Sequence, residues 1–291
     1  MTVSPFVDLC CPLDGKTLTI SQGSWRCESG HSFDIAKQGY THLLPVQNKR
    51  SRDPGDSKEM VLARERILNA GLYQSIATAV SQMVLAEINN DSHNSKNSST
   101  SVLDAGCGEG YYLRQVAKSC NEKNMNLQLA GLDISKWACL SAAKQDSKPN
   151  STNWLVASNA NIPISSNSID QVLCIFGFPV YQEFSRVLKP NGKLIQVDAG
   201  ANHLRELREI IYPTLKEDKV DQGLSIDGFK RIQSQNVSFS VNFNDQEKIS
   251  DLLTMTPHLY RASKEGREKA LALQSLDCTV DIKLSCMQLL D

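Results

Sequence analysis

The sequence lacks most of the features that would fix a function class at once. None of its apolar runs reaches the roughly 20 residues needed to span a bilayer. It shows no basic start followed by an apolar core, so neither a membrane anchor nor a signal peptide is expected. Charge of one sign is also lacking. The 31 Lys and Arg face 32 Asp and Glu, a net charge of −1, which leaves no global basic field for nucleic acid. No internal repeat is visible. The nine cysteines are odd in number and scattered, several within apolar segments. That argues against a disulfide framework and suits reduced thiols in a cytoplasm.

What is present falls into three regions. Residues 1–45 are short-segmented and punctuated by Cys, Gly and Pro. Residues 46–56 (VQNKRSRDPGD) are polar and turn-prone, with Asp-Pro-Gly as a breaker, and read as a linker. From Ser57 to residue 291 a larger α/β domain is expected. Met60, Ala63, Ile67 and Leu68, then Leu72, Ile76, Val80, Met83 and Val84, recur at helical spacing, with Gly71 dividing two helices. After the polar loop at 89–100, apolar strands at 102–106, 127–133, 153–157, 169–176 and 193–198 alternate with helical stretches. This predicts a mostly parallel sheet with helices on both faces. Segments 237–243 and 278–286 alternate with period two and predict an antiparallel pair at a sheet edge.

The most informative stretch is Val102-Leu103-Asp104-Ala105-Gly106-Cys107-Gly108-Glu109-Gly110-Tyr111, a strand, a glycine turn and a helix start. Glycines let backbone approach a ligand closely. The spacing is G-x-G-x-G, with an acid ahead of the loop and Glu109 inside it. A diphosphate would meet carboxylates there, so the loop suits a ligand with a positive end. It resembles the glycine motif of Rossmann-like S-adenosylmethionine (SAM) methyltransferases. In that setting Asp133 ends the second strand, where a carboxylate accepts from both ribose hydroxyls. Gly106 lies in the cofactor turn, and Asp104 either braces the loop or faces the cofactor's amino-acid end. Asp170 and the turn Leu188-Lys189-Pro190-Asn191-Gly192-Lys193 fit the same superfamily.

A narrower resemblance covers essentially the whole chain. It rests on Cys27-x3-His31-Ser32-Phe33-Asp34, Lys37-x-Gly39-Tyr40, Leu43-Leu44-Pro45-Val46-Gln47 and Lys49-Arg50-Ser51-Arg52-Asp53-Pro54-Gly55-Asp56. It continues through Cys107-Gly108-Glu109-Gly110-Tyr111-Tyr112, Val187-x-Lys189-Pro190 and Met255-Thr256-Pro257. These resemble the RlmA family, bacterial methyltransferases that act on N1 of a guanine in a 23S ribosomal RNA hairpin. The resemblance implies a zinc-ribbon-like RNA-recognition domain over 1–45, a Rossmann-like SAM domain over 57–291, and a homodimer. It places cofactor contacts on Tyr73, Gly108, Glu109 and His203. The target base is expected beyond the fourth strand, at Phe176, Gly177, Phe178 and Pro179, where a ring could stack on it. No general base is assigned. Lys49, Arg50 and Arg52 are the expected phosphate contacts, with Arg64, Arg66 and Arg261 as weaker candidates.

Structural zinc prefers four thiolate or imidazole ligands. Cys11, Cys27 and His31 supply three, and Asp14, between Pro12 and Gly15, stands in the register of a missing cysteine. Aspartate ligates zinc, as a harder and weaker ligand than thiolate. Cys10 competes for the fourth place, although neighbouring side chains normally point apart. A relaxed site without metal is the remaining alternative. Two other functions stay open at this stage: a small-molecule SAM methyltransferase, and an idle RNA-binding protein that keeps the fold.

Overall fold

The computed structural model describes residues 3–49, 51–90, 99–146, 151–215, 225–226 and 228–290. Its centre is a parallel array in the order Leu188–Ala199, Ile169–Ile175, Thr100–Ala105, Leu127–Asp133, Thr152–Val156. Thr100–Ala105 is buried at every position, as a strand covered on both faces must be. On the far side, Leu276–Leu289 pairs antiparallel with Leu188–Ala199 and with Phe229–Phe243, the antiparallel pair expected from the period-two pattern. Chain order reverses between Thr100–Ala105 and Ile169–Ile175, so a crevice opens at their carboxyl ends. Asp170 works at the opposite end. It accepts from the Ser101 amide and hydroxyl and pairs with Lys189 at 2.8 Å, tying three strand starts together.

The helices follow their local signals. Ser57 caps Lys58–Asn69 by accepting from the Met60 amide, and Gly71, at φ +79°, turns the chain into Gln74–Asn90. These two helices and Tyr111–Glu122 pack on one face of the sheet. The other face carries the helix Tyr181–Val187 and, beside it, the N-terminal module, whose Leu9, Trp25 and Leu43 are buried with Leu103, Ile162 and Phe184. That module is a small antiparallel sheet of Thr19–Ser21, Ser24–Arg26 and Ser32–Asp34. Its flanks join the large sheet: Val3–Pro5 pairs with Leu127–Asp133, and Tyr40–His42 with Thr152–Val156. Among the described residues no helix is long and apolar enough to cross a membrane.

One packing contact sets the height of the glycine loop. The indole of Trp154, 1 % exposed, lies across Gly131 of the neighbouring strand and beneath Gly110. A Cβ at either glycine would come within 2.5 Å of the ring. Substitution Gly131→Ala forces a rigid, fully buried indole to move. A stability loss of about 1–3 kcal/mol is expected in urea unfolding; a change below about 0.5 kcal/mol would mean that the ring has room to yield.

Candidate active site and zinc cluster

In the N-terminal module the side chains of Cys11, Asp14, Cys27 and His31 offer ligand atoms that all lie within 4.8 Å of one another. The tight turn over residues 11–15, closed by the Gly15 amide on the Cys11 carbonyl, carries the first two. The bend Cys27–His31, closed by the Gly30 amide on the Cys27 carbonyl, carries the others. His31 Nδ1 sits 3.4 Å from Cys11 Sγ, 3.3 Å from Cys27 Sγ and 3.3 Å from Asp14 Oδ2, and Cys27 Sγ lies 3.8 Å from Asp14 Oδ2. Zinc bonds of the usual length, on a tetrahedron, separate ligand atoms by about 3.3–3.8 Å. The donor set and its spacing therefore fit zinc. Burial pushes the Cys11 thiol up to about 11, so a cation is needed to hold it as thiolate at neutral pH. Burial opposes charge on Asp14 too, but hydrogen bonds from Cys11, the Lys16 amide and Ser29, with the charge on His31, win and hold its carboxyl near 2. Cys10 turns the other way, with its sulfur 3.3 Å from the Ser165 hydroxyl, outside the cluster.

The glycine loop lies at the carboxyl end of Thr100–Ala105. Gly106, Gly108 and Gly110 all have positive φ, and the amides of Gly106 and Cys107 both donate to the Leu132 carbonyl. Asp133 braces the turn, one oxygen accepting from the Gly108 amide at 3.0 Å and the other from the Ser135 amide at 2.8 Å. Burial, against those two hydrogen bonds, raises its carboxyl above the ordinary range. Asp104 is 1 % exposed and neither of its oxygens has a partner. Burial, with Asp133 and Glu109 nearby, pushes it up to about 8. Glu109 is equally buried. Its Oε2 accepts from Arg114 and Gln145, and its Oε1 has no partner. Burial raises this carboxyl as well, against the pull of Arg114.

Two further atoms at this crevice are buried without partners. One is Asn159 Oδ1, whose amide nitrogen reaches the carbonyls of Ala105 and Phe178 at 3.4 Å. The other is the Tyr73 hydroxyl. Native proteins rarely leave such atoms unpaired unless water, an ion or a ligand serves them. Once Asp104 gives up its proton, its two oxygens join Glu109 Oε1 and Asn159 Oδ1 as acceptors, so the site fits a ligand that brings donors and positive charge, as the ammonium of SAM does. Asn159 has no motif spacing and is visible only in the structure.

At the mouth, the His203 ring lies 6.3 Å from that of Tyr73 and 5.4 Å from that of Phe176. Burial lowers the His203 imidazole to about 4, so it is neutral at neutral pH. Its Nδ1 accepts from the Asp281 amide at 3.3 Å, which leaves the proton, and the donor role, on Nε2. Phe176 adopts a left-handed φ of +52°, rare for a bulky residue and characteristic of functional turns. Phe178 is 86 % exposed, and Gly177 packs against Cys174 Sγ and the Ala105 carbonyl. Pro179 follows, half-buried. Thus Tyr73, Asp104, Gly106, Gly108, Glu109, Asp133, His203 and the Phe176–Pro179 turn gather at one crevice.

The basic residues divide differently. Arg52 is exposed, Lys49 is half-buried, and Arg50 lies outside the described residues. Arg66 is spent on a two-point pair with Asp251 at 2.7 and 2.6 Å, and Arg64 pairs with Asp56 beside the glycine loop. Both are paired within the fold, and the Arg66 side chain remains half exposed.

Asp104 gives a testable sign. A carboxyl raised from 3.8 to about 8 in the fold adds a penalty that grows as pH rises through that window. Ligand-free Asp104→Asn is expected to melt above the parent protein at pH 8 and level with it near pH 4. It should also bind SAM more weakly. Equal melting at pH 8 would show that the Asp104 carboxylate is compensated.

The comparisons with known proteins agree with this geometry. Residues 9–52 match the RlmA N-terminal zinc-ribbon family, and residues 102–192 match a methyltransferase domain family. A protein of Bacillus subtilis, YxjB, provisionally named a 23S rRNA (guanine-N(1)-)-methyltransferase, is 29 % identical over 281 residues, covering 94 % of each chain. A Micromonospora griseorubida protein with the same provisional name is 33 % identical over 207 residues, covering 68 % of this chain and 67 % of that one. The 23S rRNA (guanine(748)-N(1))-methyltransferase of Streptomyces fradiae is 29 % identical over 197 residues, covering 68 % of this chain and 65 % of that one. With its zinc ribbon, glycine loop and acceptor-lined crevice, the chain belongs to the 23S rRNA (guanine-N1) methyltransferase family.

Proposed function

We propose that this protein transfers the methyl group of SAM to N1 of a guanine in a hairpin of 23S ribosomal RNA. The observation that carries the reading is the crevice at the strand switch point, lined by the buried and unpartnered side-chain oxygens of Asp104, Glu109 and Asn159. The names of the relatives supply the substrate class. SAM, when bound, would supply an activated methyl and a leaving group that departs neutral, and guanine N1 would give up its proton to solvent as the new N–C bond forms. The protein's part is alignment and exclusion of water.

In this reading Asp104 takes the ammonium of the amino-acid end and Asp133 takes the ribose hydroxyls, while Gly106 and Gly108 let the ligand lie on backbone. Glu109 keeps the loop in place through Arg114. Tyr73 and neutral His203 form the wall nearest the reacting groups, His203 donating through Nε2. Phe176 and Phe178 flank the target base, with Gly177 and Pro179 offering backbone to its edge. The division at residues 45 and 56, the homodimer and a cytoplasmic location belong to the same proposal, supported by the family resemblance and the reduced cysteines. RNA is expected across the zinc module and linker, its phosphates on Lys49, Arg50 and Arg52.

Cys11, Asp14, Cys27 and His31 are proposed as the ligands of one structural zinc. The small module has little core of its own, so the metal holds its two knuckles together. Protein purified without added metal is expected to contain about one zinc per chain by elemental analysis. Asp14→Cys should tighten and Asp14→Ala weaken zinc retention against a chelator. Zinc near zero in the parent protein would contradict the assignment.

The reaction is tested with tritiated SAM and unmodified rRNA. Label at guanine N1, mapped by primer extension to one nucleotide, is the expected result. Label confined to small metabolites would favour a small-molecule methyltransferase, and RNA binding without transfer an idle protein; either contradicts the proposal.

A further inference from the structure

Arg64 stands over the glycine loop with donors to spare. Its Nη1 lies 3.6 Å from the place a Cβ on Gly108 would take. Asp56 Oδ2 pairs with that Nη1 at 2.5 Å, and the Met255 carbonyl accepts from Nη2 at 3.0 Å. These two bonds occupy two of the five N–H donors of a guanidinium. Its charge reaches Asp133, Glu109 and Tyr112. Arg114, the other cation near the loop, is instead folded back on Glu109 and Gln145.

The ion pair is itself held by the linker. Gly55, at φ +81°, presses on Ile134 and Ser135, where a Cβ would come within 2.8–3.0 Å. The Ser135 hydroxyl donates to the Asp56 carbonyl at 2.7 Å, and Asp53 pairs with Lys136 at 2.7 Å. Residues 53–56 are thereby fastened to the turn that follows Asp133. Asp56 is fixed against the ribose side of the crevice, and Arg64 is fixed by Asp56.

The ligand chemistry completes the argument. An amino-acid end carries its ammonium and carboxylate on one carbon. If the ammonium meets Asp104, the carboxylate lies across the Gly106–Gly108 turn, the face Arg64 covers. The twelve-residue helix Tyr111–Glu122 begins at the same turn, and its free N–H groups favour negative charge there. We propose that Arg64 binds the α-carboxylate of SAM, with Asp56 of the linker as its positioning residue. This rests on the SAM reading above.

The test uses isothermal titration of the full chain with S-adenosylhomocysteine and with its decarboxylated analogue, which differ only in the carboxylate. Arg64→Met is expected to weaken S-adenosylhomocysteine roughly ten- to hundredfold, the worth of a charged hydrogen bond. It should leave the analogue within about twofold, because the analogue has no group for Arg64 to bind. Arg64→Lys should recover part of the loss, and Asp56→Asn should weaken only the carboxylate-bearing ligand. Equal weakening of both ligands by Arg64→Met would reduce Arg64 to a packing role and overturn the proposal. So would a parent protein that binds both ligands equally well. A parent protein that binds neither ligand overturns the SAM reading along with it.

Discussion

The structure depends on burying carboxylates that no protein cation fully neutralises. Asp104 and Asp133 close two adjacent parallel strands and face the same glycine turn, with Glu109 a few residues beyond. Asp133 is paid in backbone hydrogen bonds and Glu109 by Arg114, but Asp104 has no partner. An arrangement of this kind stores a preference for a cationic ligand in the free protein. It costs stability, which is characteristic of a functional site.

Everything around the crevice serves to hold that preference in place. Trp154 beneath Gly110 and Gly131 sets the loop against the sheet. The linker segment 53–56 is fastened behind Asp133, so the chain that leaves the N-terminal module passes beside the turn that follows this strand. The module itself takes up part of one helical layer, with Trp25 and Leu43 in the same core as Phe184. Zinc cluster and methyl-transfer crevice are thus joined by packed core on one side and by the linker on the other.

Much of this was legible in the sequence. The glycine spacing placed the crevice, the strand alternation gave the parallel sheet, and the 237–243 and 278–286 segments paired as their period required. Asp14 in the register of a cysteine, within the family resemblance, named the four residues that the structure gathers, with Cys10 as the competing candidate. Other features were not legible, for physical reasons. Asn159 matters through a buried amide in an irregular turn, which has no periodicity. The pairing of Val3–Pro5 and Tyr40–His42 with the large sheet joins residues more than a hundred positions apart, beyond the reach of local pattern. Arg64 stood in the sequence only as a weaker candidate for phosphate contact, because its partners, Asp56 and Met255, come from other segments.

The most direct test of the central claim is proton release on ligand binding. S-Adenosylhomocysteine should be titrated into the protein at pH 7 in buffers of different ionisation enthalpy. If Asp104, at about 8 in the free protein, ionises to meet the ligand's ammonium, most of one proton per chain is released. That release should fall towards zero well above pH 8 and vanish in Asp104→Asn. Binding without proton release at pH 7 would contradict the account, because Asp104 would then carry its charge before the ligand arrives.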